Sequence, residues 1–224
     1  MKLFSIGFAG LLLMIGVISS ASAETAVVTH LSGTVSVLKP GGQVKLLGQK
    51  SQVETGDLIS TETDSYVRLK FTDGGEMTLR PNTSIKIDQY GYDETKPDQD
   101  NFVFSLVKGG LRTITGLIGK RGKRDAYRLN TATATIGIRG TYYGAFWSVG
   151  NPQLPDGLYL DVMEGGIVAF NQGGSLDIGP GQFGFVSRID LPPVLLPQPP
   201  NLSNGEQAGG GNGGKREGDG CVAH

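Results

Sequence analysis

Tyr66-Val67-Arg68-Leu69-Lys70-Phe71, then Thr72-Asp73-Gly74-Gly75, then Glu76-Met77-Thr78-Leu79-Arg80-Pro81: this stretch decides the fold class. Val67, Leu69 and Phe71 alternate with Tyr66, Arg68 and Lys70, and Met77 and Leu79 alternate with Glu76, Thr78 and Arg80. Successive side chains of a strand point to opposite faces, so a period of two describes strands with one buried side. Asp73-Gly74-Gly75 turns the chain between them, because glycine accepts the positive φ of a tight hairpin. Working outward, Gly33-Thr34-Val35-Ser36-Val37-Leu38 alternates until Pro40-Gly41-Gly42, and Ile85 and Ile87 resume after Pro81-Asn82-Thr83. Further short strands are predicted over 102–107, 110–114, 126–130, 135–138, 142–148, 158–163, 166–170, 175–179 and 183–188. No window between residues 26 and 188 carries a helical period. The prediction is an all-β single domain of short strands, built as a β-solenoid or roll, or as a sandwich.

Two internal echoes bear on that choice. Phe71 to Pro81 and Phe170 to Pro180 share the pattern F-x-x-G-G-x-Φ-x-Φ-x-P, where Φ is apolar. Leu106-Val107-Lys108-Gly109-Gly110-Leu111 is echoed more faintly by Val162-Met163-Glu164-Gly165-Gly166-Ile167. Repeated strand–turn units suggest stacked coils, although two copies are fewer than a full solenoid needs.

Both ends read as lying outside the domain. Met1-Lys2, the apolar run from Leu3 to Ile18 and Ala21-Ser22-Ala23 follow the order of a secretory leader, with cleavage expected between Ala23 and Glu24. Residues 26–190 form the predicted domain. Residues 191–200 hold five prolines, so an extended strap free of ladder pairing is expected there. Residues 205–220 hold eight glycines and almost no apolar side chain, which predicts a disordered tail through residue 224.

Composition excludes several classes of function. The chain carries 20 Lys and Arg against 21 Asp and Glu, which gives a nucleic-acid partner no electrostatic basis. Cys221 is the single cysteine, and His30 and His224 are the only histidines, so neither a disulfide framework nor a metal cluster is predicted. No serine sits in a nucleophile elbow, and no cofactor motif is present. After cleavage the protein is expected to be periplasmic or secreted and not membrane-spanning.

The motifs in order resemble the FecR domain, the periplasmic module of ferric-citrate-type sigma regulators. They are Gly33-Thr34-Val35-Ser36-Val37, Val53-Glu54-Thr55-Gly56-Asp57-Leu58-Ile59-Ser60-Thr61, Asp64-Ser65-Tyr66-Val67-Arg68-Leu69 and Phe71-Thr72-Asp73-Gly74-Gly75. Leu79-Arg80-Pro81-Asn82-Thr83-Ser84-Ile85-Lys86-Ile87 and Gly109-Gly110-Leu111-Arg112 follow. Thr131-Ala132-Thr133-Ala134-Thr135-Ile136-Gly137-Ile138-Arg139-Gly140-Thr141 looks like the family's most distinctive signature, before Glu164-Gly165-Gly166-Ile167-Val168 and Gly179-Pro180-Gly181-Gln182. Family members that regulate sigma factors place a cytoplasmic segment and a membrane helix ahead of this domain. Here a leader stands in that place, and the resemblance implies a stand-alone exported module with an envelope protein as partner.

Three groups are candidates for partner contact. Arg139 and Thr141 stand in the signature, where Gly137 and Gly140 would let a guanidinium lie against backbone. The favoured expectation is that Arg139 is a buried tie between coils, the alternative a recognition residue. Lys120, Arg121, Lys123 and Arg124 are expected to form a charged loop. Tyr142, Tyr143, Phe146 and Trp147 share one strand, whose faces would pack in the core or leave a platform led by Tyr142 and Trp147. The functional expectation is an exported, non-enzymatic binding, signalling or scaffold module. A saccharide-binding envelope protein is the alternative, and a hydrolase with an unrecognised carboxylate pair comes third.

Overall fold

The computed structural model describes residues 25–123 and 125–200. The predicted cleavage site Ala23–Glu24, Arg124 and the Gly-rich tail with Cys221 and His224 lie outside the described residues. Among the described residues fifteen strands form one continuous sheet. In chain order they are β1 (Ala26–Ser32), β2 (Val35–Leu38), β3 (Val44–Leu46), β4 (Gln52–Val53), β5 (Leu58–Thr61), β6 (Tyr66–Phe71), β7 (Glu76–Leu79) and β8 (Ser84–Gly91). There follow β9 (Asn101–Ile114), the short helix α1 (Leu117–Arg121), β10 (Tyr127–Asn130), β11 (Thr135–Ser148), β12 (Gly157–Asn171), β13 (Gly174–Ile178), β14 (Phe183–Val186) and β15 (Val194–Leu196).

The deciding hairpin forms as its alternation predicts: Val67, Leu69, Phe71, Met77 and Leu79 are buried, while Arg68 and Lys70 face solvent. Burying each such side chain contributes about 1.5–3 kcal/mol. The first internal echo marks two hairpins, β6–β7 and β12–β13. The second marks something other than a break. β9, β11 and β12 run 14, 14 and 15 residues, where six short strands were expected. Each stays continuous through a glycine in the left-handed region: Gly109 (φ 78°), Gly140 (φ 53°) and Gly165 (φ 77°). A Cβ on Gly109 would lie 2.6 Å from the Asn82 carbonyl oxygen, and one on Gly165 would collide with the Gly140 carbonyl. Glycine is therefore needed twice over, for φ and for space.

The kinks divide the sheet into two wings. The first runs β3-β2-β5-β8, the leading half of β9, β10, the leading half of β11, the trailing half of β12, then β13. The second runs β4-β1-β6-β7, the trailing halves of β9 and β11, the leading half of β12, then β14 and β15. The pairings are antiparallel except that of β9 with β10. The wings face each other across one core. Phe71 of the second meets Phe102 of the first at 4.6 Å, and the Thr113 and Tyr127 hydroxyls approach to 3.4 Å across the same interior.

Two further expectations are corrected. Lys120 and Arg121 end a helix instead of lying in a loop. The Asp73 main-chain carbonyl accepts the Leu117 N–H at 3.0 Å, its carboxylate accepts the Ile118 N–H at 3.2 Å, and buried Ile118 anchors the turn. The proline-rich strap also keeps a ladder: Val194–Leu196, between its two proline clusters, pairs with Phe183–Phe185 of β14. An edge position tolerates flanking prolines because only one side of the strand must pair.

Candidate partner-binding cleft

The predicted site residues scatter. Arg139 is exposed, which overturns the buried tie: Ile136 and Ile138 take the core, and period two turns Arg139 to solvent. Thr141 is buried, its hydroxyl lying 2.7 Å from the Arg139 carbonyl and 2.9 Å from that of Gly166, so it ties the bulge. Lys120 and Lys123 are exposed, and Lys120 Cγ lies 3.7 Å from where a Cβ on Gly140 would stand. Tyr143 is fully buried and Trp147 packs against the core, leaving Tyr142 and Phe146 on the outer face of β11. The four aromatics therefore form no single platform.

Arg121 is the arginine that ties. It donates to the carbonyls of Glu94 at 3.1 Å and Asp93 at 3.2 Å, and to the Asp100 carboxylate at 3.5 Å. Its guanidinium lies 5.2 Å from the Tyr92 ring centre. Asp100 is buried and also accepts the Asp93 N–H at 2.8 Å. Beside it, Asp73 accepts the Gly75 N–H at 3.0 Å, and burial pushes its carboxyl above the usual carboxylate range despite the N–H groups that favour the charge.

The richest cluster of outward groups lies on the second wing, where register builds two parallel rows. In the first, Arg112 of β9 is opposite Gly144 of β11, Gly144 opposite Asp161 of β12, and Asp161 opposite Phe183 of β14. Gly144 carries no side chain, so Arg112 reaches over it to Asp161 at 3.3 Å; a Cβ there would collide with the Asp161 carboxylate. In the second row Gly110 is opposite Phe146, Phe146 opposite Tyr159, and Tyr159 opposite Phe185, with ring centres 4.7 Å apart in the last pair. Phe146 leans across Gly110, where a Cβ would lie 2.8 Å from its ring and 3.4 Å from Arg80 Cδ.

These rows floor an open cleft of about 670 Å³, lined by Arg80, Arg112, Phe146, Tyr159, Asp161, Met163 and Phe183 and closed on one side by Pro199 and Pro200. Burial, and secondarily the neighbouring Arg112, draws the Arg80 guanidinium below its usual range. Arg112 also contacts Met163 Sδ at 3.0 Å and lies 5.7 Å from the Tyr142 ring centre. Arg112 and Asp161 thus pair beside an aromatic wall, with Arg80 on the same lining. Of the candidate residues named from the sequence, Phe146 lines this arrangement and Tyr142 borders it through Arg112. The signal that could have found the rest is glycine outward on adjacent strands, Gly110 and Gly144, each next to an arginine or an aromatic.

Among the described residues no group of His, Cys, Asp and Glu could hold a metal ion, and no helix is long and apolar enough to cross a membrane. A family model described as FecR protein matches residues 57–168, half of the chain, and this span contains both kinked rows apart from β14. No curated protein matches the sequence. Two crystal structures of a candidate anti-sigma factor from Parabacteroides distasonis ATCC 8503 are similar at 11% and 12% identity, with TM-scores of 0.48 and 0.47. Each similarity covers 64% of this chain and 61% of that protein.

Proposed function

The chain belongs to the FecR family, and from that premise we propose that it is an exported regulatory module that works by holding a protein partner, with no substrate turned over. The observation that carries the reading is the cleft, whose floor on β9, β11 and the leading half of β12 lies inside the family-matched span. Charged and aromatic side chains stand there on the outer face of a sheet whose other face is core, with Gly144 opposite Arg112 and Asp161 and Gly110 opposite Phe146. Arginine and aromatic side chains at a partly buried centre are what protein interfaces use as anchors. A leader cleaved after Ala23 would deliver the module to the periplasm, where the partner is an envelope protein.

Photo-crosslinking tests this. A photoreactive amino acid at Phe146, on the cleft floor, should give a discrete protein adduct in intact cells. The same amino acid at Val44, exposed on edge strand β3 of the other wing, should not. Equal labelling at both positions, or none at Phe146, would contradict the reading.

A further inference from the structure

We propose that the outer face of the first wing is a self-complementary interface, on which two copies of this chain meet face to face about a two-fold axis. Leu129, Ile136, Ile138, Ile167, Ala169 and Ile178 take the inner, core face of β10 to β13, which turns two rows outward. Across the strands one row reads Arg128, Gly137, Val168, Asp177, and the next reads Asn130, Thr135, Phe170, Ser175. Val168 and Phe170 are exposed there. A Cβ on Gly137 would find only the Val168 carbonyl oxygen, 4.0 Å away, so the face beside the Val168 side chain is a hollow open to solvent. Arg128 and Asp177 stand at opposite ends of their row, three strand spacings or about 14 Å apart, too far to pair within the chain. Among the described residues neither has an ion-pair partner. Arg128 Nε is also buried without an acceptor, so this cation bears a desolvation cost that its own chain does not offset.

These rows fit their own reversal. A two-fold axis along the strands, between β11 and β12, lays a second copy face down and reverses the order of each row. Val168 of each copy then lies over Gly137 of the other, Phe170 over Thr135, and Asp177 over Arg128. Large meets small, and each unpaired charge meets its opposite twice. Sheets pack aligned in this way about 10 Å apart, and homo-oligomers most often use such isologous contacts. A different protein would have to supply the reversed pattern, whereas a second copy carries it already. The patch is four strands wide, roughly 15 Å between its outer strands, which falls short of the about 800 Å² per partner of a standard interface. The dimer is therefore weak and reversible. Arg139, one row nearer the kink, is left at its rim.

Sedimentation equilibrium of the full chain from about 1 to 500 µM should show reversible dimers. Arg128→Glu and Asp177→Lys should each weaken self-association at least about tenfold, because each sets two pairs of like charges together. An equimolar mixture of the two variants should dimerise as well as wild type does, since each contact then joins opposite charges. Misfolding cannot imitate that recovery. Gly137→Val, whose side chain enters open space, should leave the melting temperature unchanged and abolish the dimer. A photoreactive amino acid at Phe170 should give an adduct of twice the chain's mass in cells. A chain monomeric at about 500 µM, variants that fail to recover on mixing, a dimer indifferent to Gly137→Val, or a Phe170 adduct to a different protein in place of the chain itself would each overturn the proposal. The Phe146 crosslink probes the other wing, so the partner-binding reading stands or falls separately.

Discussion

Two clusters of charge, on different sides of the molecule's kinked strands, are built from the same residue types to opposite effect. In the corner around α1, Arg121 and Asp100 pair with each other and, together with Asp73, also hold the protein's own backbone. In the cleft, Arg112 and Asp161 pair with each other, both partly open to solvent, and border unfilled space. The corner's groups fix where a helix and a loop sit. In the cleft, Arg112, Asp161 and Phe146 are placed by glycines and strand register and face the cleft. An arginine's neighbours, more than its place in a motif, decide which it is.

The largest effect expected from this contrast is on stability. Arg121→Ala would leave buried Asp100 without its cation and should cost about 3 kcal/mol, the low end for a broken buried pair because the guanidinium is partly exposed. Thermal unfolding should then fall by about 6–12 °C. A melting temperature unchanged by Arg121→Ala would erase the distinction between the clusters. Gly116→Ala comes next. Its Cβ would collide with the Gly75 backbone nitrogen and the Asp73 carboxylate, neither of which can move freely, so about 2 kcal/mol is expected from the same thermal measurement.

Why Arg121 was legible only as part of a basic run is plain in retrospect. Its anchors, Tyr92, Asp93, Glu94 and Asp100, lie over twenty residues upstream, in a segment without alternation, and nothing local announces the contact. Arg139 misled for the converse reason. Its flanking glycines leave room for a buried guanidinium in the sequence, whereas in the fold Gly140 serves the backbone turn at the kink. Glycine pairs usually punctuate, so Gly109-Gly110 and Gly165-Gly166 separate expected strands in the sequence. A bulge needs the same positive φ without ending the strand, so six predicted strands became three. What alternation alone decides, the all-β class and the buried faces of β6 and β7, was read correctly.

Smaller effects sharpen the contrast. Burial holds the folded Asp73 carboxyl above its unfolded value near 4. Its contribution is therefore fully present below that unfolded value and is lost as pH rises through the folded one. Melting curves should show wild type gaining on Asp73→Asn as the solution is acidified from neutral toward about pH 4, and a gain in the other direction would reverse the assigned cause. Smallest is Gly144→Ala in the cleft. Its Cβ meets only the end of the Asp161 side chain, which can swing aside, so stability should stay within about 1 kcal/mol. The Phe146 crosslink should nevertheless weaken, because Arg112 loses the open path to Asp161.

The most direct test lets the arginines report on themselves. Phenylglyoxal modification of the full chain, read residue by residue by mass spectrometry, should label Arg139 faster than Arg121 or Arg112, and its rates at Arg139 and Arg121 should be the same with and without an envelope extract that supplies the partner. Arg112 should become protected when that extract is added. Protection of Arg139 with Arg112 unaffected would move the binding site to the signature strand and contradict the account.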